Sequence, residues 1–237
     1  MANDYFQFKQ FNIQQSKCAM KTGTDGVLLG AWVSVESCHT LLDVGTGTGV
    51  IALMLAQRSR AVIDAIDIDG DAAGQAAENI SSSAFAGRIQ VYHTSFEEYA
   101  GKTSGRYDLI VSNPPYFAES LKSPDMKKNL ARHSDTLPLS SLLSGSKSLL
   151  APDGRIALVF PCLREKELIE TILENKLNMV RKTEVIPVPK ASPKRLLIEL
   201  SANLSAPCVC DILVIEESRG QYTADYIKLT KDFYLKM

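Results

Sequence analysis

The sequence lacks most of the features that announce a function class. It has three histidines, one tryptophan and five cysteines, with no CxxC pair. Cys18, Cys38, Cys162, Cys208 and Cys210 are scattered. Cys208-x-Cys210 alone cannot complete a four-ligand zinc site, so no metal is expected. The thiols read as reduced and mostly buried. No apolar run approaches the ~20 residues of a membrane span. The opening residues, MANDYFQFKQFNIQQ, lack the basic-then-apolar pattern of a signal peptide. The chain is therefore expected to be soluble and cytoplasmic. An excess of one charge is missing too. Twenty-six basic against 27 acidic residues leave a net charge of −1, which argues against a dedicated non-specific nucleic-acid binder and leaves room for a local basic patch. Internal repeats, low-complexity stretches and a linker long enough to divide the chain are also absent.

What is present is ordinary globular composition, 45% hydrophobic and 22% charged over 237 residues. At this length roughly 70–75% of the unfolded chain's surface is buried on folding, enough to stabilise a core without disulfide or metal. A single domain over 1–237 is expected, with residues 1–38 as an N-terminal segment packed on the core, and a monomer is favoured. Apolar runs at His39–Val44, Ala61–Asp67, Arg88–His93, Tyr107–Ser112 and Arg155–Phe160 alternate with helical patterns. Those patterns include Thr48–Arg58, apolar nearly all round, and about Gly70–Ser81. Such alternation predicts a parallel sheet covered on both faces. The tail differs: Met179–Val188 and Lys194–Ser201 read as strands joined by PVPKASP, and Val209–Glu216 as one more strand or extended segment. That β-rich end suits antiparallel pairing at one edge of the sheet.

The densest signal is Leu41-Leu42-Asp43-Val44-Gly45-Thr46-Gly47-Thr48-Gly49-Val50, between a strand and a helix. Glycine lets a backbone turn tightly and approach a ligand without Cβ interference. A merely tight βα turn is the plainer reading, but three alternating glycines after a strand, with an Asp before them, favour a ligand cradle. The dinucleotide fingerprint is GxGxxG; here the spacing is GxGxG and Val50 stands where its third glycine belongs. The next strand ends in Ala65-Ile66-Asp67-Ile68-Asp69. Asp67 is placed to accept hydrogen bonds from ribose hydroxyls, while Asp69 and Asp71 suit a helix N-cap and first turn.

The fourth strand runs into Asn113-Pro114-Pro115-Tyr116. Two prolines fix an extended turn and remove two amide donors. The acceptors that remain, the Asn113 side-chain oxygen and the Pro114 carbonyl, can converge on one NH₂ group. Tyr116 offers a face on which a planar group can stack. A rigid surface loop would satisfy the tripeptide alone; its position after the fourth strand favours function.

The glycine turn resembles motif I of class I S-adenosylmethionine-dependent methyltransferases, and the tetrapeptide resembles the NPPY motif of amino methyltransferases, which act on adenine or glutamine NH₂ groups. The segment Phe8-Lys9-Gln10-Phe11, the segment MKTGTDGVLLGAW from Met20 to Trp32, Ala131-Arg132-His133 and Asp232-Phe233-Tyr234-Leu235 look like the bacterial tRNA(Val) adenine-N6 methyltransferases. The resemblance covers nearly the whole chain. It implies an α/β, Rossmann-like, mostly parallel seven-stranded sheet with an antiparallel C-terminal edge hairpin. It implies S-adenosyl-L-methionine as cofactor, tRNA as partner and the anticodon-adjacent adenine as target. Cofactor contacts are then expected from Asp43, Gly45, Gly47, Gly49, Asp67 and Asn113. Many adenine methyltransferases carry an Asp at the end of the third strand; this sequence has Ser95 there, and it is expected to contact the cofactor adenine. Asn113, Pro114 and Tyr116 carry catalysis in this reading.

Thr24 and Asp25 are expected either to touch the cofactor or to cap a helix starting near Gly26. Substrate contacts are expected from Lys127, Lys128, Arg132 and His133. Arg181, Lys182, Lys190, Lys194 and Arg195 in the tail add to a basic rim suited to RNA phosphates. Two other readings stay open. One is a glutamine-N methyltransferase, for which forty N-terminal residues are too few to form the usual helical domain. The other is a non-catalytic S-adenosylmethionine-binding RNA module, which an intact NPPY disfavours.

Overall fold

The computed structural model describes residues 4–114 and 137–237. A short hairpin, β1 (Tyr5–Gln7) and β2 (Asn12–Gln14), precedes helix α1 (Thr24–Trp32). Then β3 (Thr40–Val44), α2 (Val50–Arg58), β4 (Val62–Asp67), α3 (Gly70–Ser81), β5 (Ile89–His93), α4 (Phe96–Lys102) and β6 (Tyr107–Ser112) alternate. Beyond the described gap come α5 (Leu139–Leu149), β7 (Leu150–Pro161), α6 (Glu165–Glu174), β8 (Asn178–Ile186), β9 (Arg195–Ser201) and β10 (Val209–Val214). The small pair β11 (Glu216–Ser218) and β12 (Gln221–Tyr222) leads into α7 (Ala224–Thr230).

One sheet of eight strands, ordered β10-β8-β9-β7-β6-β3-β4-β5, organises the chain. The run from β5 to β7 is parallel, and β9 pairs antiparallel with both β7 and β8. The sheet thus has one strand more than the seven expected. The loop after β9 returns the chain at the same end of the sheet, so β10 runs opposite to β9 and pairs in parallel with β8. The β8–β9 hairpin therefore lies one strand in from the edge.

Strand alternation divides the core. Leu41, Ile63, Leu109, Val111, Ala157 and Leu197 face α1, α2, α3 and α7; Leu42, Ile66, Ile110, Ile156, Leu158 and Ile198 face α4, α5 and α6. Each fully buried Leu, Ile or Val contributes about 1.5–3 kcal/mol. Helix α1 lies close on α2, because a Cβ on Gly30 would sit 2.9 Å from Met54 Sδ.

The N-terminal hairpin is tied down twice. Gln14 exchanges hydrogen bonds with the buried Asn79 side chain on α3, both at 2.8 Å. At its other side Phe8 bridges to Tyr234, and Lys9 N donates to Phe233 O at 2.8 Å. Among the described residues no helix is long and apolar enough to cross a membrane.

Candidate active site at the carboxyl ends of the strands

In an open α/β sheet, ligands bind beyond the carboxyl ends of the parallel strands. The sequence motifs gather there. Gly45, Gly47 and Gly49 all adopt positive φ, at 72°, 56° and 81°. This left-handed region costs other residues roughly 1–2 kcal/mol each. Gly49 also ends the turn, which is why α2 starts at Val50 rather than Thr48. A Cβ on Gly49 would meet Ala76 Cβ at 3.4 Å, whereas one on Gly45 or Gly47 would meet nothing within 4 Å. The first two glycines therefore border open space.

The turn is fastened from both sides. Gly45 N and Thr46 N both donate to Ile66 O at 2.9 Å. Asp67 accepts from Gly47 N at 2.8 Å and from Asp69 N at 2.9 Å, one bond to each carboxylate oxygen. Burial raises the Asp67 pKa, and the two backbone amides pull it back down. Each of its oxygens keeps a further lone pair for a ligand hydroxyl. Asp69 caps α3, accepting from Asp71 N at 2.9 Å, and Asp71 sits in the first turn, as the spacing predicts.

Asp43 faces inward. It is fully buried, and its Oδ2 accepts from Thr46 Oγ1 at 2.7 Å and from Ala52 N at 3.2 Å. Its Oδ1 has no hydrogen-bond partner. Burial pushes its pKa up to about 7, against the pull of the Thr46 hydroxyl and the Ala52 amide. Asp43 thus joins the glycine turn to the first turn of α2. Asn79, which the sequence reading missed, adds a bond from Nδ2 to Thr48 O at 2.9 Å. A buried amide on the Ala-rich face of α3 was the available signal.

Strand β6 is neighbour to β3, and the buried Ser112 hydroxyl donates to Val44 O at 2.8 Å. Asn113 and Pro114 follow, half-buried. The position of a Cβ on Gly26 would be 3.8 Å from Asn113 Nδ2, so the first turn of α1 borders the NPPY turn. Helix α1 begins at Thr24 with Gly23 as N-cap and no side-chain cap. The capping expected of Thr24 and Asp25 is thus corrected. Both lie inside the helix, where Asp25 Oδ2 instead accepts from Arg195 Nε at 2.7 Å.

Ser95 follows β5 and caps α4, its hydroxyl accepting from Glu98 N at 3.1 Å. Pro115, Tyr116, Lys127, Lys128, Arg132 and His133 lie outside the described residues. The basic rim is only partly assembled. Lys190, Lys194 and Arg195 occupy the β8–β9 turn and the start of β9, at the same end as the glycine turn. Arg181 does not join them, because β8 enters the sheet from the opposite end, and Lys182, farther along β8, is neutralised by carboxylates instead. Arg181 stands over the Trp32 ring at 4.1 Å and donates to Trp32 O at 3.1 Å, and Lys182 pairs with Glu165 and Glu184. A hollow of about 600 Å³ beside Trp32, Arg58 and Arg181 also lies at that opposite end.

Residues 18–186 match the Methyltransferase small domain family. A protein of Parabacteroides distasonis, named tRNA1(Val) (adenine(37)-N6)-methyltransferase, is 59% identical over 237 residues, covering 100% of both chains. One of Bacteroides fragilis with the same name is 49% identical over 238 residues, again with 100% of both chains covered. Among solved structures, the predicted O-methyltransferase Atu636 of Agrobacterium tumefaciens superposes with a TM-score of 0.70 at 18% identity, covering 88% of this chain and 96% of its own. The ribosomal protein L11 methylase of Lactobacillus delbrueckii gives 0.56 at 21% identity, over 80% and 83%. These two likenesses establish the class I methyltransferase fold, and the full-length identities establish the lineage. The chain belongs to the methyltransferase small-domain family and, within it, to the bacterial tRNA1(Val) (adenine(37)-N6)-methyltransferases.

Proposed function

We infer that the protein transfers a methyl group from S-adenosylmethionine to N6 of an adenine in tRNA, the adenine adjoining the anticodon of tRNA(Val). One observation carries the reading. The glycine turn after β3 and the NPPY turn after β6 end two hydrogen-bonded parallel strands, so a cradle for the methyl donor adjoins a pair of acceptors for an amine. The names of the full-length relatives support tRNA and the adenine N6 atom as target.

The residues fit the cofactor. Gly45 and Gly47 border open space at positive φ, where backbone can approach a ligand closely. Asp67 ends β4 with lone pairs left for ribose hydroxyls. Asp43 supports this cradle from beneath rather than by contact. Thr24 and Asp25, in the first turn of α1 beside Asn113, and Ser95, after β5, are the further cofactor contacts in this reading. S-adenosylmethionine supplies a methyl group already activated by its sulfonium.

The chain's own task is alignment and charge. The adenine N6 lone pair is delocalised into the ring, which makes it a poor nucleophile. The Asn113 side-chain oxygen and the Pro114 carbonyl, accepting from its two hydrogens, favour a pyramidal nitrogen and expose the lone pair. The same oxygens stabilise positive charge as it develops on N6. Tyr116 stacks on the base in this scheme, and Lys127, Lys128, Arg132 and His133 contact the RNA. Holding the reacting atoms in line contributes up to about 7–11 kcal/mol.

The test is incubation with labelled S-adenosylmethionine and total tRNA, followed by digestion and mass spectrometry of the nucleosides. N6-methyladenosine in tRNA(Val) is expected. Label confined to protein glutamine, or none transferred to RNA, overturns the reading.

A further inference from the structure

The turn between β8 and β9 has a lysine where the backbone favours glycine. Ala191 N donates to Val188 O at 3.1 Å, and Lys190 has φ of 67°. With Pro189 at the second position, this is the pattern of a type II turn, whose third position requires positive φ and favours Gly or Asn. Pro187, Pro189 and Pro193 stiffen the turn from both sides. Residues that persist in a disfavoured backbone region cluster at ligand clamps and active sites.

The location of this turn gives the lysine a use. The turn is anchored to the site end of the sheet through Cys162 N to Lys194 O at 3.2 Å and Lys194 N to Val185 O at 2.9 Å. Arg195, the next residue, is held by Asp25 at the rim of the proposed cradle. Lys190 and Lys194 are both exposed, and among the described residues neither pairs with a carboxylate. Of the described acids at this end, Asp25 pairs with Arg195, and Glu165 and Glu184 with Lys182.

We propose that the 188–191 turn is a rigid phosphate-binding knuckle that presents Lys190, with Lys194 beside it, to the backbone of the structured RNA whose adenine enters the site. The proposal rests on the tRNA reading above and adds to it the surface that grips the RNA outside the target base. A rigid turn loses little freedom on binding, so its charge is used with small entropic loss. Contacts of this type position the RNA without reading its sequence.

Lys190→Gly separates a structural lysine from a binding one, because the two roles predict opposite effects. Glycine relieves the backbone, so the melting temperature should hold or rise. Binding of unmodified tRNA(Val) should weaken by about three- to ten-fold, with the log–log salt slope shallower by about 1, and Lys190→Gly with Lys194→Ala should deepen both effects. Lys190→Arg should restore binding, and S-adenosylhomocysteine affinity should not move. A Lys190→Gly protein that binds tRNA like the wild type, or that melts lower, overturns the proposal and leaves the tRNA reading intact. A wild-type protein that binds no tRNA overturns both.

Discussion

The Gly47 amide donates to the Asp67 carboxylate at 2.8 Å, so the acid at the end of β4 holds the glycine turn as well as facing the space beyond it. Removing it should therefore cost twice over. Asp67→Ala should weaken S-adenosylmethionine and S-adenosylhomocysteine by about 10- to 100-fold, since a hydrogen bond to a charged group is worth about 1.5–3 kcal/mol. Titration calorimetry measures this, and NAD serves as control. Tight NAD binding with no S-adenosylmethionine binding would sink the assignment.

Gly47→Ala examines the cradle from the other side. The left-handed φ makes alanine unfavourable by roughly 1–2 kcal/mol, and the new methyl group would meet no protein atom within 4 Å. The fold should survive with a modest drop in melting temperature, while cofactor affinity falls further than stability does. Wild-type affinity for S-adenosylhomocysteine would show that no ligand approaches this backbone.

Asn113→Ala addresses the chemistry. Pro114 still fixes the turn and Ser112 still joins β6 to β3, so the melting temperature should move little. Turnover should fall on the order of 10²–10³-fold, the usual loss for one preorganised group at a reacting centre. Cofactor affinity should stay close to wild type. Asn113→Asp keeps the acceptor and should retain more activity than alanine. Methylation of tRNA by Asn113→Ala at the wild-type rate would reduce the NPPY turn to scaffolding.

Asp43 gives a pH signature. Its carboxyl ionises near 3.9 when unfolded and is pushed up to about 7 in the fold. The native state therefore keeps a proton that the unfolded chain loses. The contribution is fully present below about pH 4 and is lost as pH rises to about 7, in total on the order of a few kcal/mol. Asp43→Asn stays neutral throughout. Urea denaturation of both proteins from pH 4 to 8 should show the wild type losing stability relative to the variant across that window, then running parallel. A constant difference from pH 4 to 7 would mean that Asp43 is ionised in the fold.

Much of this arrangement was legible in the residues, for physical reasons that also mark where legibility ended. Helix α3 over Gly70–Ser81 was readable because Asp69 caps it and its alanines repeat on one face. The central strands β3, β6 and β7 were readable as apolar runs, since burial on both faces leaves no alternation to mistake. The glycine turn showed its purpose by spacing, but the start of α2 was misjudged because the positive φ of Gly49 is a property of the folded turn. Thr24 and Asp25 look like caps in any local view; the partner that engages Asp25 is 170 residues away. Arg181 and Lys182 joined the basic rim on proximity in sequence, yet Trp32 engages the one and Glu165 with Glu184 the other, and no local pattern carries such pairings. Asn79 needed the knowledge that β2 and the glycine turn lie side by side.

The bridge between Phe8 and Tyr234 also bears on the order in which the protein is made. During synthesis the N-terminal hairpin emerges ahead of its partners: Asn79 on α3 follows Gln14 by 65 residues, and Tyr234 lies at the far end of the sequence from Phe8. Contacts so distant along the chain are slow to form. The segment that leads into Thr24 and Asp25 thus leaves the ribosome well before it is able to settle. A nascent chain stalled before Phe233 would have the tie to Asn79 within reach and still lack the one beside α7, leaving the hairpin held at one side only.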